Sequence, residues 1–427
     1  MGEFLGYRCH RCGRSYPPAD VFYTCPDDGA NLDVVMDLEQ VRPTSSPQAI
    51  AASGEGSIWR YLPLLPVHTP GHHGTPLWSV GWTPMLTPAR LAANLGLRLL
   101  WIKDDGRNPT ASFKDRASAV VVARAQEIGA KVVVTASTGN AGAALAGMAA
   151  AAAQPAVIVA PRTAPPAKVA QLLIYGAQVF LVDGSYDDAF DLTVEASQAL
   201  GWYCRNTGYN PFTAEGKKTA ALEICEQLTG AAGARVAVPQ QWTAPDVVFV
   251  SVGDGNIISG LHKGFRDLLD LGWIPHLPRL VGVQAEGSAA VYQAFASGSS
   301  EITPVHAETL ADSISVDLPR DGLRALRAAA ETGGFFLTVS DAAILEAMRQ
   351  LGAVEGIFAE PAAATAYAGL VDAVRQGKVD PTERIVVLLT GSGLKDVRAA
   401  MRAAGEAVVI EPTLGALRAA LARREAI

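Results

Sequence analysis

Short apolar runs alternate with longer alanine-rich stretches along most of the chain, from residue 59 onward. Runs of this length, rich in Val, Ile and Leu, are typical of strands buried on both faces, and the stretches between them are long enough for helices. The pattern therefore predicts parallel β-sheets covered by helices on both sides. The predicted strands lie at 99–103, 131–136, 156–160, 246–252, 280–285 and 384–390.

The first 40 residues have a different, loop-rich pattern and carry three of the five cysteines. Cys9 and Cys12 form one Cys-x-x-Cys knuckle. Cys25 would be half of a second knuckle, in which Asp28 stands where a four-cysteine zinc ribbon has cysteine. Three thiolates and a carboxylate are an accepted tetrahedral set for Zn²⁺. Residues 1–40 thus predict a zinc-ribbon-like module, either with zinc held by these four side chains or without a metal.

Residues 41–58 are rich in Pro, Ser, Gly and Ala and show no apolar periodicity. Such a composition is typical of a linker. We expect a domain boundary here, with the ribbon-like module before it and the main region, residues 59–427, after it.

Composition narrows the classes of function. The chain has 427 residues, 49% apolar and 18% charged, and its 35 basic and 42 acidic residues give a net charge of −7 without a long Lys/Arg run. A nucleic-acid partner is therefore not expected. The small and apolar run at 141–153 is shorter than the ~20 residues that cross a bilayer, and the N-terminus is not signal-like, so no membrane partner is expected. An odd number of cysteines favours a cytoplasmic location.

Four groups of polar residues follow predicted strands, where α/β sheets bind ligands. Lys114 lies near the start of a helix, whose dipole favours the neutral, nucleophilic form of its amine. Residues 137–140 form a polar turn at another helix start, which suits a carboxylate, and the glycine-rich turn at 251–260 is of a phosphate-binding type. Thr390 and Ser392 end the last strand. Each feature alone is common, but their joint position at strand ends predicts one site.

These features occur within a series of motifs that resembles the threonine synthases, a family of pyridoxal-phosphate enzymes of the tryptophan-synthase-β type (fold type II). The resemblance covers essentially the whole chain and implies an α/β fold with two parallel-sheet, three-layer αβα subdomains behind the ribbon. The smaller subdomain, roughly residues 105–208, would be inserted in the larger one. The matching pieces are the ribbon, GTPL at 74–77, NPTASFKDR at 108–116, ASTGN at 136–140, EGKKTAALE at 215–223, EPAAA at 360–364 and LTGSGLKD at 389–396.

The resemblance also implies roles for individual residues. Lys114 would be the catalytic lysine, joined to the cofactor as a Schiff base, Asn140 would hydrogen-bond the 3′-oxygen of the cofactor ring, and Thr390 would face its pyridine nitrogen. A neutral hydroxyl there suits elimination and replacement better than transamination. The cofactor phosphate would be wrapped by Gly253, Asp254, Gly255, Asn256 and Ile257, and the substrate would be bound by Ser112, Ser137, Thr138, Gly139, Asn206 and Thr207.

The implied reaction is the conversion of O-phospho-L-homoserine and water into L-threonine and phosphate by a homodimer that acts on a small amino acid. Two alternatives stay open. One is a threonine-synthase-like enzyme with another substrate, such as an O-phosphoserine β-replacement enzyme of the cysteate synthase type or a serine/threonine ammonia-lyase. The other is a non-catalytic paralogue, which the joint retention of Lys114, Asn140 and Thr390 disfavours.

Three positions depart from the family pattern. Threonine synthases usually carry an arginine that grips the substrate phosphate at the position of Thr213, and an asparagine at the position of Asp254. Ala111 replaces a common glycine. Lys217 or Lys218 could restore the missing positive charge, but lysines at a helix start are more often surface charges, and we predict that role for both.

Overall fold

The computed structural model describes residues 2–20, 23–231 and 240–425. At the N-terminal end of these residues a three-stranded antiparallel sheet forms the ribbon, in the order β2-β1-β3. Phe4 and Tyr7 of its central strand pack edge-to-face on Phe212, so the ribbon is docked on the main region. The strands are β1 (Phe4–Cys9), β2 (Ser15–Tyr16) and β3 (Leu32–Met36).

The segment predicted to be a linker lies against the main region and is partly helical. Asp37 and Ser46 accept hydrogen bonds from main-chain N–H groups at the starts of two short helices, and a proline at the first position fixes the second. Val41 and Ile50 on these helices are buried in the same core as the main region. The domain boundary itself stays a prediction. The helices are α1 (Leu38–Val41) and α2 (Pro47–Ala51).

The main region alternates strands and helices. Its strands, within the described residues, are β4 (Met85–Leu86), β5 (Leu99–Asp104), β6 (Val133–Ala136), β7 (Ala156–Pro161), β8 (Gln178–Val182), β9 (Tyr203–Cys204), β10 (Val247–Ser251), β11 (Arg279–Ala285), β12 (Phe335–Val339) and β13 (Arg384–Leu389). The helices are α3 (Ala89–Asn94), α4 (Lys114–Glu127), α5 (Asn140–Ala151), α6 (Pro166–Ile174), α7 (Tyr186–Leu200), α8 (Phe212–Ala231), α9 (Asn256–Asp270), α10 (Ala290–Ser297), α11 (Gly322–Glu331), α12 (Asp341–Glu355), α13 (Pro361–Arg375), α14 (Val397–Ala404) and α15 (Leu414–Glu425).

The larger sheet has six strands in the order β12-β11-β10-β13-β5-β4. All neighbours are parallel except β4, which runs antiparallel to β5 at one edge. Every residue of β10 is buried, as expected for a strand covered by helices on both faces. Strand β13, near the other end of the chain, joins β5 to β10.

The smaller sheet has four parallel strands in the order β8-β7-β6-β9. All four lie between β5 and β10 in the sequence, within the range 105–208 expected for an inserted subdomain. The α/β fold with parallel sheets, which the apolar runs predicted, and its division into two such units, which the family resemblance implied, are thereby confirmed. No helix in the described ranges is both long and apolar enough to span a bilayer.

Strand order reverses once in each sheet, and these reversals position the site. In the small sheet the chain proceeds outward from β6 to β8 and returns with β9 on the other side of β6. In the large sheet it proceeds from β10 to β12 and returns with β13 on the other side of β10. Ligands of open α/β sheets bind in the crevice beyond the carboxyl ends of strands at such reversals. The loops after β6, β10 and β13 therefore mark the expected ligand crevice.

Candidate active site

A cavity of about 480 Å³ opens at the carboxyl ends of β6, β10 and β13. Both sheets contribute to its walls, so it lies in the crevice that the topology predicts. The structure brings together here most of the residues expected from the sequence. These are Lys114, Ser137, Thr138, Gly139, Asn140, Thr207, Gly253, Asp254, Gly255, Asn256, Ile257 and Thr390.

Lys114 is the first residue of α4, and the loop before it is pinned to the end of β13. Phe113 N donates to Thr390 O at 2.8 Å, which holds the lysine beside the cavity wall that Thr390 forms. The adjoining Ala111 has φ +65°, a left-handed conformation that is costly for alanine. Burial lowers the pKa of the Lys114 amine, and the nearby Arg205 cation lowers it further. Its neutral, proton-accepting form is favoured accordingly.

The turn after β6 presents main-chain donors to the cavity. Gly139 caps α5 without a side-chain hydrogen bond, so the first N–H groups of the helix face the cavity unsatisfied by any cap. Gly142 makes this geometry possible, since a Cβ there would lie 2.0 Å from Ser137 O. Hydroxyls of Ser137 and Thr138 border the same space. The turn is suited to a carboxylate.

The turn after β10 is a second anion cradle. Gly255, with φ +91°, precedes α9 and leaves its N-terminus without a side-chain cap. A Cβ at this position would lie 2.7 Å from Asp321 O, so only glycine fits. Asp254, an unfavourable neighbour for an anion, accepts a hydrogen bond from Arg320 N at 3.2 Å. Burial raises the pKa of the Asp254 carboxyl, which weakens its repulsion of a phosphate.

Glu360 is a cavity residue that the sequence reasoning did not single out, although EPAAA at 360–364 was part of the family motif. Asn140 Nδ2 donates to Glu360 Oε1 at 2.8 Å. Burial raises the pKa of Glu360 to about 7, against the opposing effect of the Lys114 cation. The carboxyl thus titrates near neutrality beside the lysine and the asparagine.

Arg205 also lines the cavity and was not predicted. Its guanidinium is fully buried, with Nε bonded to Ser118 Oγ at 3.2 Å and one terminal nitrogen bonded to Thr207 Oγ1 at 2.8 Å. The other terminal nitrogen, Nη2, has no hydrogen-bond partner among the described residues. Burial lowers the pKa of Arg205 to about 10, so the group stays charged at neutral pH. A buried cation with a free donor is a site for an anion.

The prediction that Lys217 and Lys218 are surface charges is wrong, because both side chains are fully buried. Lys218 Nζ forms ion pairs with Glu215 and Asp267. Lys217 Nζ instead reaches the cavity, where it donates to Asn256 Oδ1 and forms no ion pair with any described carboxylate. Burial lowers the pKa of Lys217 well below its usual value, as do the nearby cations. The prediction failed because the groups that surround α8 come from distant segments.

Ser112 and Asn206 were expected to contact the substrate, but the structure does not bring their side chains into the cavity. Asn206 Oδ1 accepts from Thr135 Oγ1 and Ala136 N, and its Nδ2 donates to Thr193 Oγ1. It therefore holds the end of β6. Ser112 is fully buried, and its main chain bridges to residue 391. Both residues support the walls of the cavity from behind.

The side chains and main-chain groups of the cavity fit pyridoxal phosphate. A lysine with a lowered pKa, an amide, a strand-end hydroxyl and an uncapped helix N-terminus face one space. They match the aldehyde, the ring oxygen, the ring nitrogen and the phosphate of that cofactor. The residues that would hold it are Lys114, Asn140, Thr390 and the turn 253–257.

The cysteine cluster of the ribbon fits a structural Zn²⁺. Ligand atoms of Cys9, Cys12, Cys25 and Asp28 all lie within 4.8 Å of one another. Cys12 Sγ and Cys25 Sγ are 3.8 Å apart, the spacing that tetrahedral Zn–S bonds of ~2.3 Å require. Main-chain N–H groups of residues 11 and 12 donate to Cys9 Sγ, as expected for a thiolate ligand.

Comparison with known proteins agrees with this geometry. The sequence model of the family described as "Pyridoxal-phosphate dependent enzyme" matches residues 78–391. The threonine synthase of Methanocaldococcus jannaschii is 38% identical over 413 residues, covering 96% of this chain and 98% of the relative. That of Methanosarcina acetivorans is 36% identical, covering 97% and 98%. That of Synechocystis sp. is 37% identical, covering 85% and 89%.

Solved structures share the fold at lower sequence identity. Threonine deaminase isoform 2 from Solanum lycopersicum aligns with a TM-score of 0.63 and 22% identity, over 80% of this chain and 96% of that one. Diaminopropionate ammonia lyase from Escherichia coli aligns with a TM-score of 0.63 and 21% identity, over 75% and 86%.

Proposed function

The chain belongs to the threonine synthase family of pyridoxal-phosphate-dependent enzymes, and from this premise we propose that it converts O-phospho-L-homoserine and water into L-threonine and inorganic phosphate. The observation that carries the proposal is the pair of buried basic side chains, Arg205 and Lys217, on the cavity wall. Neither forms an ion pair with a carboxylate of the described residues. Burial and the nearby cations lower the pKa of Lys217 in the free protein, and a dianionic substrate group beside the amine would favour its charged form and pair with Arg205.

Lys217 supplies the charge that is missing at Thr213. The two residues are four apart on α8 and therefore lie on the same face of the helix. Lys217 Nζ donates to Asn256 Oδ1, and Thr213 Oγ1, which donates to Asn210 O at 2.7 Å, lies 3.1 Å from the same amide oxygen, so the two side chains are side by side. An ammonium one turn along thus replaces the family's guanidinium.

The cavity offers separate places for the two anionic ends of the substrate. Main-chain N–H groups and hydroxyls at 137–139 bind the carboxylate, and Arg205, Thr207 and Lys217 bind the phosphate. The phosphate of the cofactor has its own cradle at the N-terminus of α9. A serine or threonine substrate would leave both cations unpaired, so the ammonia-lyase alternative is disfavoured.

Lys114 carries the proton transfers. The cofactor, when bound, supplies an electron sink that stabilises negative charge at Cα. Lys114 Nζ, whose neutral form is favoured because burial lowers its pKa, accepts the proton from Cα of the substrate and exchanges protons at the side chain. Phosphate leaves from Cγ and water adds at Cβ, so the products are threonine and inorganic phosphate.

The test is to supply the purified holoenzyme with O-phosphohomoserine and to follow phosphate release and amino-acid products together. We expect phosphate and threonine in equal amounts, and no turnover by the Lys114→Ala variant, whose fold is checked by circular dichroism. O-Phosphoserine, serine and threonine are assayed in parallel. Phosphate released only from O-phosphoserine, or 2-oxobutanoate formed from threonine, would replace the proposal with one of the two alternative reactions.

A further inference from the structure

The ribbon contacts the main region directly behind the glycine-rich turn that follows β10. Asn31, three residues after Asp28 in the ribbon, points out of the module. Its Nδ2 donates to Asp321 Oδ1 at 2.8 Å and to Arg320 O at 2.9 Å. The main-chain N–H groups of Arg320 and Asp321 in turn donate hydrogen bonds to Asp254 in the turn 253–257. The ribbon is therefore connected to the cavity lining through these two residues.

Asp321 connects the ribbon to the turn. Its main-chain N donates to Asp254 O at 2.8 Å, and its Oδ2 accepts from Asn256 Nδ2 at 2.6 Å. Arg324 completes the surroundings of the carboxylate with bonds of 2.6 and 2.9 Å. The side chain of Asp321 is fully buried, so water does not replace a donor that is lost.

The bond to Asp321 decides how the amide of Asn256 is oriented. With Nδ2 turned toward the carboxylate, Oδ1 faces Lys217 Nζ and Thr213 Oγ1. The opposite orientation would set an NH₂ group against the lysine ammonium and a carbonyl against the Asp321 carboxylate. Asn256 is also the first residue of α9, so its position sets the N–H groups that face the cavity.

We infer that Asn31 of the ribbon is a positioning residue for the phosphate-binding end of the active site, acting through Asp321 on Asn256 and Lys217. The ribbon then helps to position the residues that bind the cofactor phosphate. The inference for the cofactor phosphate requires only membership of the pyridoxal-phosphate family, while its extension to the substrate phosphate rests on the proposed function.

The experiment compares two isosteric variants of the full chain. Asn31→Asp replaces the donor with a carboxylate that faces Asp321. Asp33→Asn is the matched control, because it removes the ribbon's ion pairs with Arg324 and Arg327 and keeps the Asn31 donor. Dissociation constants are measured by absorbance titration of the apoprotein with pyridoxal phosphate and, separately, with pyridoxal, which lacks the phosphate. Thermal unfolding verifies that each variant is folded.

We expect Asn31→Asp to raise the dissociation constant of pyridoxal phosphate by about tenfold and to leave that of pyridoxal within about twofold of the wild-type value. Asp33→Asn should change neither dissociation constant. Asn31→Ala, which adds no charge, should act in the same direction and serves if the aspartate variant does not fold. An equal loss for both ligands, or the same effect in Asp33→Asn, would overturn the inference. Neither measurement uses an amino-acid substrate, so a failure of the proposed reaction would leave this test unaffected.

Discussion

At the scale of single residues, the neighbours Lys217 and Lys218 have opposite surroundings although both are buried. Lys218 is held by two carboxylates, whereas Lys217 faces the cavity with an amide oxygen and a second cation nearby. Removing one partner of a buried ion pair leaves the other charge uncompensated and is strongly destabilising, whereas a buried basic group without a carboxylate partner is available to an anionic ligand. The pair therefore separates a structural role from a binding role on one helix.

Replacing Lys217 with glutamine tests the binding role. Lys217→Gln should raise KM for O-phosphohomoserine by at least about tenfold, because a charge-assisted contact is worth roughly 1.5–3 kcal/mol, and should not lower the free energy of unfolding. Lys218→Gln, the control, should keep KM and lose about 3–5 kcal/mol of stability, since Glu215 and Asp267 lose a buried partner. Steady-state kinetics give KM for both variants, and urea unfolding gives their free energies of unfolding. Equal KM values for the two variants would contradict the proposal that Lys217 binds the substrate phosphate.

Glu360 gives the apoprotein a characteristic pH dependence. Its pKa is raised from 4.5 to about 7 in the folded chain, so the folded state holds an extra proton between these values and this contribution to stability is lost as the pH rises through them. Glu360→Gln keeps an acceptor for Asn140 without titrating. The variant should match the wild type near pH 4.5 and exceed it by about 1–3 kcal/mol at pH 8, measured by urea unfolding. A constant difference across this range would contradict the assignment.

Sequence reasoning at this scale found residues that follow the predicted strands and missed two other residues of the cavity. Lys114, Asn140 and Thr390 were predicted because strand ends converge on one edge of a sheet. Arg205 was missed because it follows β9, a two-residue strand that the sequence pattern did not predict, and Glu360 was missed because the EPAAA motif does not indicate which of its side chains faces a ligand. Their significance is visible only when burial and partners are known.

At the scale of elements, the sequence predicted the interior strands and missed those at the edges. The six predicted strands correspond to β5, β6, β7, β10, β11 and β13, which have neighbours on both sides. The missed strands, β4, β8, β9 and β12, are the four edges of the two larger sheets. The two-residue strands β4 and β9 are too short to show an apolar run. Strands β8 (QVFLV) and β12 (FFLTV) do contain apolar runs, so their sequences could have indicated them.

The loop that carries Lys114 is strained at Ala111, and this strain can be measured. A left-handed L-residue costs about 1–2 kcal/mol, more than the ~0.5–1 kcal/mol of chain entropy that glycine loses. Ala111→Gly should therefore stabilise the protein by up to about 1 kcal/mol in urea unfolding. Ala150→Gly on the exposed face of α5 should instead destabilise it by about 1 kcal/mol. Losses in both variants would show that residue 111 is not under strain.

At the scale of the whole molecule, a buried ionic network joins the elements that surround the active site. Arg116 of α4 binds Asp105 at 2.6 Å and Glu223 of α8 at 2.6 Å, and Lys103 of β5 binds the same glutamate at 2.6 Å. All four side chains are fully buried. The network connects β5, which precedes the small sheet in the sequence, to α8, which follows the small sheet. Because Arg116 belongs to α4, the network also fixes the position of α4 and hence of Lys114.

This network predicts the acid sensitivity of the fold. Burial alone would raise the pKa of Glu223, but the Arg116 and Lys103 cations lower it to about 2. A depressed carboxyl contributes stability above its unfolded pKa, near 4.5, and this contribution is lost as the pH falls toward 2. Glu223→Gln should lose about 3–5 kcal/mol at pH 7 and show a flatter decline between pH 5 and 3, measured by thermal unfolding across pH. Parallel declines in the variant and the wild type would contradict this.

The pairing of β5 with β13 has a consequence for how the chain is made. Strand β13 lies between β5 and β10 and is their common neighbour, yet it is among the last strands to leave the ribosome. Until then the large sheet exists as two separate pieces, each with an open apolar edge. The four strands of the small sheet are adjacent in sequence and can pair earlier. The large sheet should accordingly stay incomplete, with its apolar edges open to aggregation, until residues 384–389 have been translated and released.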